Sequence, residues 1–284
     1  MKLNLRKLSY ALGAEVLDFK ITDNLSTDIV AQLREAFLAH NVLLFRNQEL
    51  SHELHKQFSS HFGPLDPHDS VPDYRLPDHP EILKVTNAGK ERSKVFGTTW
   101  HTDHSMTLHP SLASLLRADE IPDVGGETSF ANMYLAWETL SPTLQNVLRP
   151  LDAVHTVVNA RHLQSVDPEV RAAKARNNPP VAHPVMRIHN ETGRPALYVN
   201  EMLTSQFVGM TYDESRPLLE YLFKHSVRPE FTWRQQWRKG DLIIWDNRCT
   251  MHIAHADYDH SKVRRLFRTT IMGPQSGYPY EEAV

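Results

Sequence analysis

The sequence predicts a mainly β fold with flanking helices: a β-sandwich or jelly roll. Three observations point there. Beyond residue 80, short apolar runs bounded by Gly, Pro, Asn and Asp outnumber helical patterns. Those runs do not alternate regularly with helices, as a parallel α/β sheet requires. The chain also holds no G-x-G-x-x-G turn, the mark of a dinucleotide-binding sheet.

Taken in order, residues 1–20 alternate in the strand manner around Leu12–Val16. Residues 26–40 repeat Ile29, Leu33 and Phe37 at helical spacing behind a Ser26/Thr27 cap. Val42–Phe45 reads as a short buried strand. A second helix is predicted from Ser51 through Leu54, Phe58 and Phe62, stopped by Gly63-Pro64. Residues 66–100 carry four scattered prolines (Pro67, Pro72, Pro77, Pro80) and read as irregular around one strand at Ile82–Val85. Long loops in compact domains are usually functional or disordered. Ser111–Arg117 and the stretch after Gly125-Gly126 read as strands, Met133–Leu140 as a helix, and Ser141-Pro142 as the start of another. Val154–Val158 is strand-like. Residues 161–184 form a charged connector, and Leu197–Asn200 a strand. Thr211-x-x-Glu214 is a capping box before a helix bearing Leu218, Leu219, Leu222 and Phe223. Strands are predicted at Pro229–Trp237, Leu242–Trp245 and Leu266–Met272. The expected organisation is one domain over 1–284, with active-site loops near 66–100 and 156–180.

Composition narrows the function. The 284 residues are 40% hydrophobic, enough for a sizeable core, and the net charge of −3 offers no basic footprint for nucleic acid. One cysteine, Cys249, rules out an internal disulfide and fits a reducing compartment. No apolar run reaches the ~20 residues of a membrane-spanning helix. The N-terminal basic residues are followed by Glu15 and Asp18, so the segment reads as mature protein, and a cytoplasmic location is expected. With seventeen histidines, a lone histidine carries little meaning; spacing and company decide.

Thr99-Trp100-His101-Thr102-Asp103-His104 has both. On an extended segment His101 and Asp103 leave from one face and can grip one metal ion, while Thr102 and His104 point away. A third ligand from the region of His252 completes a two-His, one-carboxylate set, which leaves positions open on iron(II). His252 and His255 lie an odd number of residues apart, so a strand turns only one of them to the metal. Arg264 and Arg268, four apart, share a strand face and can each clamp an oxyanion; Arg265 points away. After Gly125-Gly126-Glu127, Thr128 can place its hydroxyl beside an anion held by Arg264.

These pieces, in this order, resemble the taurine dioxygenase / 2,4-dichlorophenoxyacetate dioxygenase family of Fe(II)- and 2-oxoglutarate-dependent oxygenases. The matching stretches are Trp100–Asp103, Gly125–Thr128, His183-Pro184-Val185, Leu197–Glu201, Gly240 through Trp245–Arg248 to His252, and Arg264–Thr269, with Val42–Arg46 and Phe62–Pro64 earlier. The resemblance covers nearly the whole chain. It implies a double-stranded β-helix (jelly roll) core. It implies His101, Asp103 and His252 as iron ligands, and Thr128 and Arg264 on the distal carboxylate of 2-oxoglutarate. It places Arg268 and His68 on the anionic group of a small organic substrate, a sulfonate, sulfate ester or carboxylate. Fe(II), 2-oxoglutarate and O2 are the implied cofactors and co-substrates. Decarboxylation to succinate and CO2 is coupled to hydroxylation of a substrate carbon, with release of any leaving group on it. A homodimer or homotetramer is expected on the same ground.

The chain also departs from the taurine enzymes. Leu203, in the substrate-binding wall, stands where they carry an aromatic residue, and Gly97 where they carry a polar one. Met133–Pro142 and Asn247–His252 are more similar to the phenoxypropionate-cleaving branch. Two other classes compete: a zinc hydrolase using the same His/Asp/His set, and a non-catalytic jelly-roll binding protein. The hydrolase leaves Arg264 and Thr128 without a task, and the intact triad argues against the binding protein.

Overall fold

The fold is described from a computed structural model, which covers residues 2–69, 71–88, 97–157, 169, 176 and 178–281. The chain opens with a hairpin, β1 (Asn4–Lys7) and β2 (Ala14–Leu17), then α1 (Thr27–His40), β3 (Val42–Phe45) and α2 (His52–Ser60). Ser26 and Ser51 cap the two helices, each accepting from the backbone N–H three residues on. Next come β4 (Arg75–Leu76), β5 (His79–Thr86), β6 (Ala113–Glu120) and β7 (Thr128–Asn132), followed by α3 (Met133–Glu138) and α4 (Pro142–Leu148). Short strands follow: β8 (Asp152–His155), β9 (Val181–Pro184), β10 (Met186–Ile188), β11 (Pro195–Leu197) and β12 (Thr204–Phe207). The chain then runs through α5 (Tyr212–Ser226), β13 (Thr232–Gln235), β14 (Leu242–Asp246), β15 (Thr250–Ala254), β16 (Arg265–Ile271) and β17 (Tyr278–Pro279).

Among the described residues the major sheet has eight strands in the order β1-β2-β3-β14-β6-β16-β5-β4, and a facing sheet has the order β13-β7-β15. Except for β2 beside β3, the pairings in these two sheets are antiparallel. The chain steps from one sheet to the other between β6 and β7, and again between β14 and β15, as a jelly roll does. Strand alternation separates the two faces of the major sheet. Leu43, Phe45, Leu115, Leu242, Ile244 and Ile271 pack outward against Ile29, Leu33 and Phe37 of α1 and Phe58 of α2. Val42, Leu44, Leu116, Ile243, Trp245 and Leu266 pack inward against Phe130 and Trp237. Each such side chain, fully buried, contributes roughly 1.5–3 kcal/mol to this sandwich. The rings of Phe130 and Trp245 meet across the gap at 5.5 Å.

Several boundaries differ from those expected. The α2 helix ends at Ser60, with Phe62 in the following turn. Residues 72–86 are more ordered than the prolines imply, forming a 3₁₀ turn and a hairpin on the sheet edge. The connector 161–184 ends in a strand, β9, and only Leu197 of the predicted 197–200 strand is in a ladder. Pro229–Phe231 is a 3₁₀ turn and not part of the strand, because Pro229 lacks a backbone donor. Most of the loop expected at 156–180, and residues 89–96 of the other, lie outside the described residues.

Candidate active site

His101 and His252 are joined by an isolated antiparallel bridge. The His101 N–H donates to the His252 carbonyl at 3.1 Å, and the His252 N–H to the His101 carbonyl at 2.8 Å. Their ring centroids lie 4.2 Å apart. The expected two-residue alternation does not persist past this point: Thr102 is irregular and Asp103 lies in a turn. That turn is held by Asn247, whose carbonyl accepts from the Thr102 hydroxyl at 2.7 Å and whose Oδ1 accepts from the Asp103 N–H at 3.3 Å. The turn still brings Asp103 Oδ1 to 3.9 Å from His101 Nε2. One donor atom from each of His101, Asp103 and His252 lies within 4.8 Å of the others.

The protonation states suit a cation. His101 Nδ1 lies 2.8 Å from the Thr99 carbonyl, which can only accept. Nδ1 therefore carries the proton, and Nε2 faces Asp103 as a bare donor. His252 Nδ1 is buried without a hydrogen-bond partner. Burial lowers the His101 pKa and pushes that of His252 down to about 3, so both rings are neutral at pH 7. Burial works to raise the pKa of Asp103, but the Arg268 guanidinium, then His252 and His101, hold its carboxyl well below the usual range. The Ser114 hydroxyl donates to Asp103 Oδ2 at 2.7 Å, and Arg268 Nη1 to Oδ1 at 2.9 Å. Two neutral imidazoles, one with an orphaned nitrogen, beside an ionised carboxylate fit a divalent metal.

A second grouping of donor atoms, His189, Asp246 and Cys249, does not. His189 Nδ1 accepts the Glu191 and Thr192 N–H groups, so its Nε2 carries the proton and donates to Asp246 at 3.0 Å. Both Asp246 oxygens are taken by Arg248.

Arg264 precedes β16 and is buried. Its Nε donates to the Gly126 carbonyl at 2.7 Å. Burial lowers its pKa to about 10, and no carboxylate lies within ion-pair distance among the described residues. Arg265 points outward to Asp119 and Glu120 at 2.6 and 2.8 Å. Thr128 is buried, and its hydroxyl accepts from Trp237 Nε1 at 3.0 Å. Arg268 faces inward with Leu266 and touches Asp103, leaving its Nε buried and unbonded. His68 is fully buried with both ring nitrogens unbonded; burial, then the charge of Arg268, pushes its pKa down to about 4. Leu203 is buried in the turn after Asn200, and the neighbouring Met202 N–H donates to the Trp100 carbonyl at 3.4 Å, tying that turn to the His101 segment.

The neighbours fall elsewhere. His104 turns to Ser111 Oγ at 3.1 Å and Asp66 at 3.5 Å, while His255 pairs with Ser129 Oγ at 2.8 Å. Gly97 sits at φ +73°, and a Cβ there would lie 2.9 Å from His101 Cε1, so the His101 ring occupies the space of a side chain. Sequence reasoning missed Ser114 and Trp237, which support Asp103 and Thr128. Ser114 shares the strand parity of Leu116 and Ala118, and that inward parity is the signal that marks it.

The sequence profile described as "Taurine catabolism dioxygenase TauD, TfdA family" matches residues 4–270. The chain is 33% identical to an alkylsulfatase of Acinetobacter baylyi, over 93% of this chain and 84% of that protein. It is 32% identical to the alpha-ketoglutarate-dependent 2,4-dichlorophenoxyacetate dioxygenase of Cupriavidus pinatubonensis, over 93% and 94%. The crystal structure of a taurine dioxygenase from Burkholderia xenovorans superposes with a TM-score of 0.83 at 35% identity, covering 100% of this chain and 96% of that one. The fold, the His-Asp-His cluster and these likenesses agree, and the chain belongs to the TauD/TfdA family of 2-oxoglutarate-dependent dioxygenases.

Proposed function

We propose that this dioxygenase hydroxylates a small anionic organic compound, a sulfonate, sulfate ester or carboxylate, at an iron held by His101, Asp103 and His252. One observation carries the reading: a His-Asp-His donor set accompanied by two inward guanidinium groups, one of which has no acidic partner among the described residues. The named activities of the relatives, on alkyl sulfates, 2,4-dichlorophenoxyacetate and taurine, share that anionic end.

Bound iron, with 2-oxoglutarate and O2, supplies the oxidative chemistry that yields succinate, CO2 and a hydroxylated carbon. The chain's residues bind and orient. Arg264 and Thr128 hold the distal carboxylate of 2-oxoglutarate, a charged acceptor that compensates a desolvated guanidinium. Arg268 and His68 take the substrate's anionic group, and the Leu203 turn forms a wall beside them. Asn247 and Ser114 fix the Asp103 carboxylate. Hydroxylation of a carbon that bears sulfate or aryloxy leaves an unstable product that releases the group.

Anaerobic Fe(II) plus 2-oxoglutarate is expected to give a weak visible charge-transfer band. Succinate then forms in air when sulfonates, alkyl sulfates and aryloxyalkanoates are screened. Absence of the band together with zinc-supported turnover overturns the reading in favour of a hydrolase.

A further inference from the structure

We propose that Gly126 and Arg234 are positioning residues for 2-oxoglutarate: together they clasp the Arg264 guanidinium from outside the pocket. The inference rests on the assignment of Arg264 to 2-oxoglutarate. Gly126 sits at φ +68°, and a Cβ there would lie 3.1 Å from Arg264 Cδ, 3.2 Å from Arg264 Nε and 3.2 Å from the Tyr258 ring. Gly126 thus grips Arg264 by its backbone, whose carbonyl takes the Nε–H, and lies against the Tyr258 ring as well. Nothing in that grip is intrinsically rigid, since Gly125 and Gly126 both lie in the left-handed region open to glycine.

Arg234 supplies the rigidity. Opposite Ser129 in the β13–β7 ladder, it points away from the pocket and is 45% exposed. Its Nε donates to Glu127 and its Nη2 to Asp257 at 2.5 Å. Asp257 in turn accepts the Gly126 N–H at 3.2 Å. Glu127 lies between Gly126 and Thr128, and Asp257 directly precedes Tyr258. One guanidinium fork therefore ties the Gly126–Thr128 turn to Asp257: Glu127 adjoins the anchor Thr128, and Asp257 holds the N–H of Gly126, whose carbonyl binds the anchor Arg264. Exposed ion pairs add little to global stability, so removing this one separates positioning from folding.

The test is calorimetric 2-oxoglutarate affinity of the Mn(II)-loaded protein, with steady-state KM and kcat. Arg234→Gln is expected to weaken 2-oxoglutarate binding about three-fold, with kcat, substrate KM and melting temperature unchanged. Arg234→Lys rescues partially, because an ammonium is a point charge and cannot fork between two carboxylates. Gly126→Ala, strained at positive φ and crowding Arg264, is expected to weaken it about ten-fold. Arg264→Gln, the control, weakens it by ~30-fold or more. If Arg264→Gln weakens binding and Arg234→Gln does not, the clasp is wrong and the pocket assignment stands. An equal rise in substrate KM for Arg234→Gln means general loosening and also overturns it. If Arg264→Gln has no effect, the assignment of Arg264 fails first and the clasp with it. Should Gly126→Ala not fold, the Arg234 pair still decides.

Discussion

His252 and His255 differ by three positions, and β15 with the residue after it turns only one of them toward Asp103. The bridge to His101 fixes His252, whereas His255 is half-exposed and spends its Nε2 on Ser129. His252→Ala is therefore expected to lower Mn(II) affinity beyond the ~10–100-fold typical of losing an outer-shell partner, with His255→Ala within about two-fold of wild type. An electron-paramagnetic-resonance titration of free Mn(II) measures both, and the reverse order would exchange their roles. The residue scale is also where the sequence was most legible. Strand parity with Arg268 favoured Arg264 over its rival Arg265, and the structure sends Arg265 outward to Asp119 and Glu120. The pairing of His101 with Asp103 was anticipated for an insufficient reason. An extended face accounts for His101, but a turn tied down by Asn247 delivers Asp103, and single-strand periodicity does not encode that long-range bond.

Elements announced themselves where local chemistry sufficed. Ser26, Ser51, Ser141 and Thr211 cap four helices at the predicted places, and the uninterrupted apolar run Val42–Phe45 is a strand with those ends. The strands from 181 to 207 were harder to read, because β9, β10 and β12 are three or four residues long and mix His, Pro, Arg, Ser and Gln with their apolar residues. Their pairing comes from tertiary packing. The seam between α2 and β16 makes a further demand. His55 is fully buried there, its Nε2 3.3 Å from Thr269 Oγ1, and burial pushes its pKa down to about 3. The unfolded chain, with an ordinary histidine near 6.5, binds a proton there that the folded chain excludes. Stability from this group is thus complete above pH 6.5 and falls as pH drops toward 3. His55→Leu is expected to flatten the urea-midpoint profile across that window, by at most about 1.4 kcal/mol per pH unit. An unchanged profile would place the acid sensitivity elsewhere.

At the scale of the molecule, one chain of charges ties the layers together. Arg34 on α1 forks onto Glu191 at 2.7 and 3.0 Å, Glu191 meets Arg248 at 2.5 Å, and Arg248 forks onto Asp246, which also accepts from His189. Arg248 is 1% exposed. Removing it strands a buried carboxylate, so Arg248→Ala is expected to cost about 3–5 kcal/mol. The double change Asp246→Asn with Arg248→Met should cost less, as equilibrium denaturation can show; a costlier double variant contradicts this. The alternation along β16 governs a different kind of change. Arg268 faces the pocket, and Thr269, one step on, bonds Ser59 under α2. Losing or gaining one residue in this strand would turn a guanidinium into the helix-covered layer and a methyl-bearing hydroxyl into the pocket. Loops on the rim can lengthen and shorten freely, but β16 can vary only letter by letter. A one-residue insertion in β16 therefore costs the pocket its guanidinium outright, a penalty that an insertion in a surface loop does not carry.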